Sequence, residues 1–364
     1  MKLSKTIGTI FAFTLAAALL LSACGGGSAK PPSGSQTTGG SDTSGNTGTD
    51  QNAPPELITL RTSTKKNCTS TPWVVGETQG IFEKHGIKIE YTGETSENLA
   101  AVLNGTNDFD VDSPGTLAQQ YAEGTDIIGV AFNQVDPDTD DIDRKYQHMR
   151  FYVSPDSGLN EIADLQDFNG GGEITISGVG SSNCLTFIPQ QVLKNHGLDP
   201  ERLSFVGYDS DTAAVQLVTQ GDLDIAGIHP PFYYLAEQEG LKLLFDSRDS
   251  GLGAATGAEI FYFTQDFVGE HPDWIQRFTD AITESQKWGL EHPDEAVTLT
   301  GEYIGTTVNA VHYFYNGGNV SGDVPSKLIQ PWINDLVDYG VLDEGQVSVT
   351  DIFDARFING LDID

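Results

Sequence analysis

A hydroxyl-rich glycine loop, Gly178-Val179-Gly180-Ser181-Ser182-Asn183-Cys184, follows the β-branched run Ile174 to Ser177 and precedes an apolar segment of helical character. A strand that feeds a helix N-terminus through such a loop leaves backbone N–H groups unpaired. With Ser181, Ser182 and Asn183 beside them, those groups can hold an anion or a hydrogen-bond acceptor. Comparable chemistry recurs at Asn67-Cys68-Thr69-Ser70-Thr71 with Trp73, at Ser113-Pro114-Gly115-Thr116, and at His229-Pro230-Pro231-Phe232. The candidate ligand-binding residues are therefore Asn67, Cys68, Thr69, Ser70, Thr71, Trp73, Ser113, Pro114, Gly115, Thr116, Gly180, Ser181, Ser182, Asn183, Cys184, His229, Pro230 and Phe232. Hydroxyls in such places also cap helices, so each has a structural role open to it. Proline disrupts a helix body but not its first turn, so Pro189 predicts a helix start near Leu185 to Phe187.

Alternating βα units must position these loops. Strand Leu57 to Thr62, helix Trp73 to His85, strand Ile87 to Tyr91, helix Asn98 to Leu103, strand Phe109 to Val111, helix Leu117 to Glu123 and strand Ile127 to Phe132 follow from periodicity and glycine stops. The order returns from Ile174 to Phe245, and anchors align: Asn67-Cys68 with Asn183-Cys184, His85-Gly86 with His196-Gly197, Pro114 with Pro230, Gly124 with Gly240. Two similar lobes are implied. Ligands of mostly parallel sheets sit outside the carboxyl ends of the strands, so facing lobes would bring all four loops to one cleft.

Cys68 and Cys184 share a repeat position and are expected beside that cleft on opposite lobes. Two free thiols are the plain reading; paired soft ligands for a metal or a thiol-bearing solute are the sharper one. A disulfide would lock the cleft. The glycine loop half-matches a dinucleotide fingerprint, but Asn183 replaces the third glycine and the strand does not open one long doubly wound sheet. A hydrolase built on Cys184 and His229 lacks an assignable orienting acid. The seven histidines show no metal-ligand spacing. No metal, cofactor or catalytic residue is expected.

At the amino end, Lys2 and Lys5, an apolar run from Ile7 to Leu21 and Leu21-Ser22-Ala23-Cys24-Gly25 form a secretion signal. Its last residues resemble the lipobox of bacterial lipoproteins, which implies Cys24 as a lipidated residue held outside the membrane; an ordinary cleavable signal is the alternative. A Ser/Thr/Gly/Pro-rich tether follows. The organisation expected is 1–23 signal peptide, 24–55 tether, 56–150 first part of lobe 1, 151–248 lobe 2, and 249–364 second part of lobe 1, mainly helical, with chain crossings near Arg150 to Val153 and Phe245 to Gly251. The balance of 52 acidic to 19 basic side chains, a net charge of -33, excludes a nucleic-acid partner and an electrostatic hold on anionic membranes.

Pro72-Trp73-Val74-Val75-Gly76-Glu77-Thr78-Gln79-Gly80-Ile81-Phe82-Glu83-Lys84-His85-Gly86-Ile87, Gly105 through Asp112, Ile162-Ala163-Asp164-Leu165, Gly221-Asp222-Leu223-Asp224, and the helix starts His271-Pro272-Asp273 and His292-Pro293-Asp294 carry a family resemblance. From about Leu57 to Ile358 the chain resembles the solute receptors of ABC importers for nitrate, sulfonates, taurine and thiamine-pyrimidine precursors. The resemblance implies an α/β type II periplasmic-binding fold, two βα lobes with a ligand cleft between them and a helical C-terminal tail on the first lobe. It also implies a monomer that closes on a small-molecule solute and delivers it to an ABC permease. One departure is Gln166-Asp167-Phe168-Asn169-Gly170-Gly171-Gly172, where the family has Lys-Gly-Lys. Helix N-termini and hydroxyls favour an oxyanion. The scarcity of cations at the loops beyond Lys65 and Lys66 keeps open a pyrimidine-like aromatic solute stacked on Trp73 or Phe232, with His229 as a polar contact. An enzyme resembling pyrimidine-precursor synthases is the alternative from another class.

Overall fold

The computed structural model describes residues 56–137, 148–178, 182–208, 210–230, 232–306 and 324–358. The signal, the tether, Cys24, Gly180 and Ser181 lie outside the described residues. Among the described residues no helix is long and apolar enough to cross a membrane.

Lobe 1 opens with β1 (Ile58–Thr62), a 3-10 turn (Cys68–Ser70), α1 (Thr71–Thr78), α2 (Ile81–Lys84) and β2 (Ile87–Tyr91). It continues through α3 (Asn98–Leu103), β3 (Phe109–Asp112), α4 (Pro114–Ala122) and β4 (Ile128–Gln134). The helix predicted over Trp73 to His85 is broken in two, because Gly80 takes a left-handed φ of 68° that stops α1 and starts α2. β1 pairs with β2 in parallel.

Lobe 2 comprises β5 (Arg150–Val153), β6 (Ile174–Ser177), α5 (Cys184–Asn195), β7 (Leu203–Val206), α6 (Asp211–Gln220), β8 (Ile225–Ile228), α7 (Tyr233–Gln238) and β9 (Lys242–Asp246). Its five strands run in the order β7-β6-β8-β5-β9. β6, β7 and β8 are parallel and β5 runs against β8 and β9. β5 thus belongs to the lobe 2 sheet.

Two 3-10 turns, Ser247–Ser250 and Gly253–Gly257, return the chain to β10 (Glu259–Phe263), which inserts antiparallel between β3 and β4. α8 (Gln265–Glu270), α9 (Pro272–Glu291) and α10 (Pro293–Ile304) follow, each of the last two with proline in its first turn as the His-Pro-Asp starts predict. Ile275, Phe278, Ala281 and Ile282 of α9 close the lobe 1 core with Trp73 and Phe261.

The tail departs from expectation at α11 (Val324–Asp338), which precedes α12 (Val349–Ile352). One face of α11 packs with Leu117 and Ala118 of α4. Its Trp332 stacks on Phe187 of α5, centroids 3.9 Å apart, and its Asp335 accepts from Gln191 and Lys194 of the same helix. The tail therefore rests on both lobes.

The departure at residues 166–172 forms a loop in which Asn169, Gly170 and Gly171 have φ of 54°, 66° and 81°, a run that only glycine and asparagine adopt cheaply. Arg202 ties it down, donating to the carbonyls of Leu165, Gln166, Phe168 and Gly172 at 2.6 to 3.1 Å. Arg202→Ala should lower unfolding free energy by about 2–3 kcal/mol in urea titration, and Arg202→Lys should recover less than half, since an ammonium cannot span a planar fork of acceptors. Equal stability of the lysine variant and wild type would refute that role.

Candidate functional site

The lobes meet where their strand-end loops meet. Ser113 caps α4 by accepting from the Thr116 N–H, and its hydroxyl donates to the Ser182 carbonyl of lobe 2 at 2.9 Å. Gly115 faces the same carbonyl so closely that a Cβ there would lie 2.3 Å from it. Pro114 and Gly115 are buried. On the far side Asn183 occupies the N-cap of α5, and its carbonyl accepts from the Thr186 and Phe187 N–H groups. α5 begins at Cys184, with Pro189 inside the helix, against the start predicted from proline. α5 is buried nearly all round, and burial of Leu185, Phe187, Ile188 and Val192 outweighs one lost backbone bond.

The first loop is spent mainly on structure. Asn67 caps the 3-10 turn, accepting from the Thr69 N–H and hydroxyl at 3.1 and 2.7 Å. The Ser70 hydroxyl donates to the Lys65 and Asn67 carbonyls, and Thr71 pairs with Thr300 of α10. Trp73, 1% exposed, packs on Phe261 in the lobe 1 core, which corrects its expected role as a stacking platform. The Cys68 side chain lies outside the described residues, so only Cys184 of the pair is placed, as a buried free thiol. Phe232, at the start of α7, is half-buried against the lobe 2 core, and Pro230 is buried.

Between these loops lies a group of charged side chains that the candidate set omitted. Lys65 pairs with Asp110 and donates to the Val111 carbonyl at 2.8 Å. Burial opposes its charge, yet Asp110 and Asp112 raise its pKa. Burial, then Asp112, push Glu259 up to about 8, and burial also raises Asp112. In lobe 2 the Cys184 Sγ lies 3.5 Å from His229 Nε2, while His229 Nδ1 and its backbone N–H lie 3.2 and 3.1 Å from Asp211 Oδ1. Asp211 is the orienting acid that could not be assigned from the sequence. Burial opposes the His229 charge, but Asp211 and Cys184 carry its pKa well above 6.5. Burial raises the Cys184 thiol. With Asp211 behind it, the charged imidazole can donate to an acceptor bound in the cleft.

His148 completes the group, 3% exposed, with its pKa pushed down to about 3 by burial and by charged His229. Though the histidines are scattered in sequence, ligand atoms of His148, Cys184 and Glu259 lie within 4.8 Å of one another. Two of these residues sit at strand starts. β10 and β5 run against their neighbours, and register sets Ile260 opposite Asp112 and Arg150 opposite Ile228, so Glu259 and His148 fall at the carboxyl ends of the parallel strands. The antiparallel direction of these two strands places them there, and no local sequence pattern marks it. Asp211 begins α6 directly after β7, a strand-end loop the candidate set passed over.

Residues 67–296, more than half of the chain, match the model of the family described as NMT1/THI5 like. The chain belongs to this family. A taurine-binding periplasmic protein of Escherichia coli is 26% identical over 102 residues, a segment that spans 28% of this chain and 31% of that protein. The periplasmic aliphatic sulphonate binding protein of Escherichia coli superposes with a TM-score of 0.62 at 17% identity, covering 85% of this chain and 96% of the other. The periplasmic nitrate-binding protein of Synechocystis gives 0.65 at 13% identity, covering 84% and 88%. A desulfurization enzyme shares the fold as well, at a TM-score of 0.57 and 14% identity, covering 82% and 97%. This NMT1/THI5-like protein has the α/β fold of periplasmic binding proteins.

Proposed function

We propose that this NMT1/THI5-like protein is the extracytoplasmic receptor of an ABC importer, anchored through lipid on Cys24, which captures a small polar solute by lobe closure, without chemistry, and delivers it to a membrane permease. The observation that carries the reading is the Ser113 to Ser182 hydrogen bond, which joins strand-end loops of opposite lobes over one shared cleft. A binding protein needs such a contact to register the closed state. Two closing lobes can do this as a monomer.

Relatives named for sulfonate, taurine and nitrate make an oxyanion the first solute class, held by the α5 N-terminus, charged His229 and the Ser113 side. Asp112 and Glu259 favour a second reading: a solute with a donor or cationic nitrogen, such as a pyrimidine-like aromatic or an amino-sulfonate, placed with that nitrogen toward the two carboxyl groups. The charged His229 beside Cys184 serves better as a donor to a bound solute than as a base, which supports the receptor over an enzyme.

Thermal unfolding with a panel of alkanesulfonates, taurine, nitrate and aminopyrimidines separates the readings. At a hundredfold excess over Kd a bound solute should add about 2.7 kcal/mol of stability and be recovered unchanged. A shift only with simple oxyanions favours the first class, and one only with nitrogen-bearing solutes favours the second. Conversion of the solute would refute the receptor reading.

A further inference from the structure

Three buried side chains of the cleft come from three parts of the fold: His148 from the crossing before β5, Cys184 from the first residue of α5 in lobe 2, and Glu259 from the first residue of β10 in lobe 1. Imidazole, thiolate and carboxylate together form a donor set for a borderline-soft divalent cation, and their ligand atoms lie within 4.8 Å of one another. A second observation points the same way. His148 Nε2 is buried and has no hydrogen-bond partner among the described residues, a cost that folding normally avoids.

We propose that His148, Cys184 and Glu259 form a binding site for one Zn2+-like cation in the cleft, with a fourth position open to the solute or to water. The proposal deepens the receptor reading, because the ion would join both lobes and the crossing. Tetrahedral ligands at bonds of about 2.0–2.3 Å stand about 3.5 Å apart, so the set closes by about 1 Å on loading. The surroundings fit an ion. The Gln134 side-chain amide lies 3.0 Å from His148 Nδ1; with its oxygen turned to the ring it accepts the Nδ1 proton and leaves the Nε2 lone pair for metal. His229, 3.5 Å from Sγ and backed by Asp211, can donate to a thiolate, and its charge offsets that of the sulfur. Binding releases to solvent the thiol proton of Cys184 and, near neutral pH, the carboxyl proton of Glu259 as the bonds to the metal form, with no change of oxidation state.

The test uses the full chain, freed of metal by chelation and titrated with Zn2+ and Co2+ in the absence of any solute. The expected result is one equivalent bound, a sulfur-to-cobalt charge-transfer band and tetrahedral d–d absorption. Cys184→Ser should abolish that band and weaken Zn2+ by more than about 100-fold, beyond the loss of an outer-shell partner, and Glu259→Gln should weaken it by at least about tenfold. Wild-type spectra supply the answer even where a variant folds poorly. No charge-transfer band, a band that survives Cys184→Ser, or weak multi-equivalent binding to the acidic surface overturns the proposal. Because no solute enters the titration, its failure leaves the solute panel to stand or fall separately.

Discussion

Gly115→Ala is expected to lower solute affinity by at least about 100-fold, roughly 2.7 kcal/mol, while the solute-free protein melts no lower than wild type. The two effects have separate origins. In the first turn of α4 alanine is a better helix former than glycine by about 1 kcal/mol, so the isolated lobe loses nothing. In the closed arrangement the added Cβ would stand 2.3 Å from the Ser182 carbonyl oxygen and 3.1 Å from the Trp332 ring. The first neighbour is backbone, which cannot swing aside as a side chain can, so lobe 2 must stand off and the Ser113 to Ser182 bond is lost. Calorimetric titration with the solute that the panel identifies measures the affinity, and small-angle scattering should report a variant that stays expanded when solute is added. Wild-type affinity in Gly115→Ala would mean that the Ser113 to Ser182 contact is not part of the solute-bound state.

Asp136→Ala should be the most destabilising single change at the hinge, by about 3–5 kcal/mol. Asp136, 1% exposed, accepts from the Ser247 and Thr256 hydroxyls and from the His148 N–H, and so ties the segment after β4 to both 3-10 turns of the return crossing. Alanine removes one acceptor shared by three buried donors, of which the Thr256 hydroxyl keeps the Gly253 carbonyl at 2.7 Å. The pH dependence has a definite sign. Burial raises the Asp136 pKa from 3.8 to about 7. A carboxyl raised on folding contributes stability that is complete below its unfolded pKa and is lost as pH rises through the folded value. Glu259, raised to about 8, and His229, raised well above 6.5, act in the same direction. His148, lowered to about 3, acts only as pH falls below 6.5 and so stays outside this window. Urea denaturation should therefore show wild type losing about 1–2 kcal/mol or more between pH 6.5 and 8.5. Asp136→Asn should reduce that loss, and the Asp136→Asn, Glu259→Gln pair should reduce it further. A pH slope unchanged in both would show that these carboxyls stay ionised in the fold.

Much of the lobe architecture was legible because parallel βα units announce themselves by period and by glycine stops. Asn67 and Asn183, aligned by the internal repeat, both stand at N-cap positions, Asn67 capping a 3-10 turn with its side chain and Asn183 heading α5 without a side-chain cap bond. The cleft was half legible. Ser113, Gly115, Ser182, Cys184 and His229 follow from the carboxyl ends of parallel strands, whereas Glu259 and His148 lie at the starts of antiparallel ones, and nothing local marks a strand's direction. Trp73 was misplaced for a related reason: an aromatic next to a polar loop serves a core or a ligand equally well, and burial against Phe261 decides it. Pro189 shows a local rule overridden by packing, since one missing N–H costs less than exposing the apolar side chains of α5. The reach of α11 onto lobe 2 depends on Trp332 meeting Phe187, a pairing far apart in sequence.

In the proposed receptor, that reach bears on how the jaws would separate. α11 touches α4 through aliphatic side chains and the Trp332 ring beside Gly115, and it grips α5 through the stacked pair of Trp332 and Phe187 and the Asp335 bonds to Gln191 and Lys194. Prising α11 from α5 would unstack two aromatic rings and part the buried Asp335 from Gln191 and Lys194, whereas letting α4 glide along α11 leaves those contacts in place. The lower-energy path for the proposed closure would be sliding, with α11 carried along with lobe 2 although it lies in the tail that follows lobe 1.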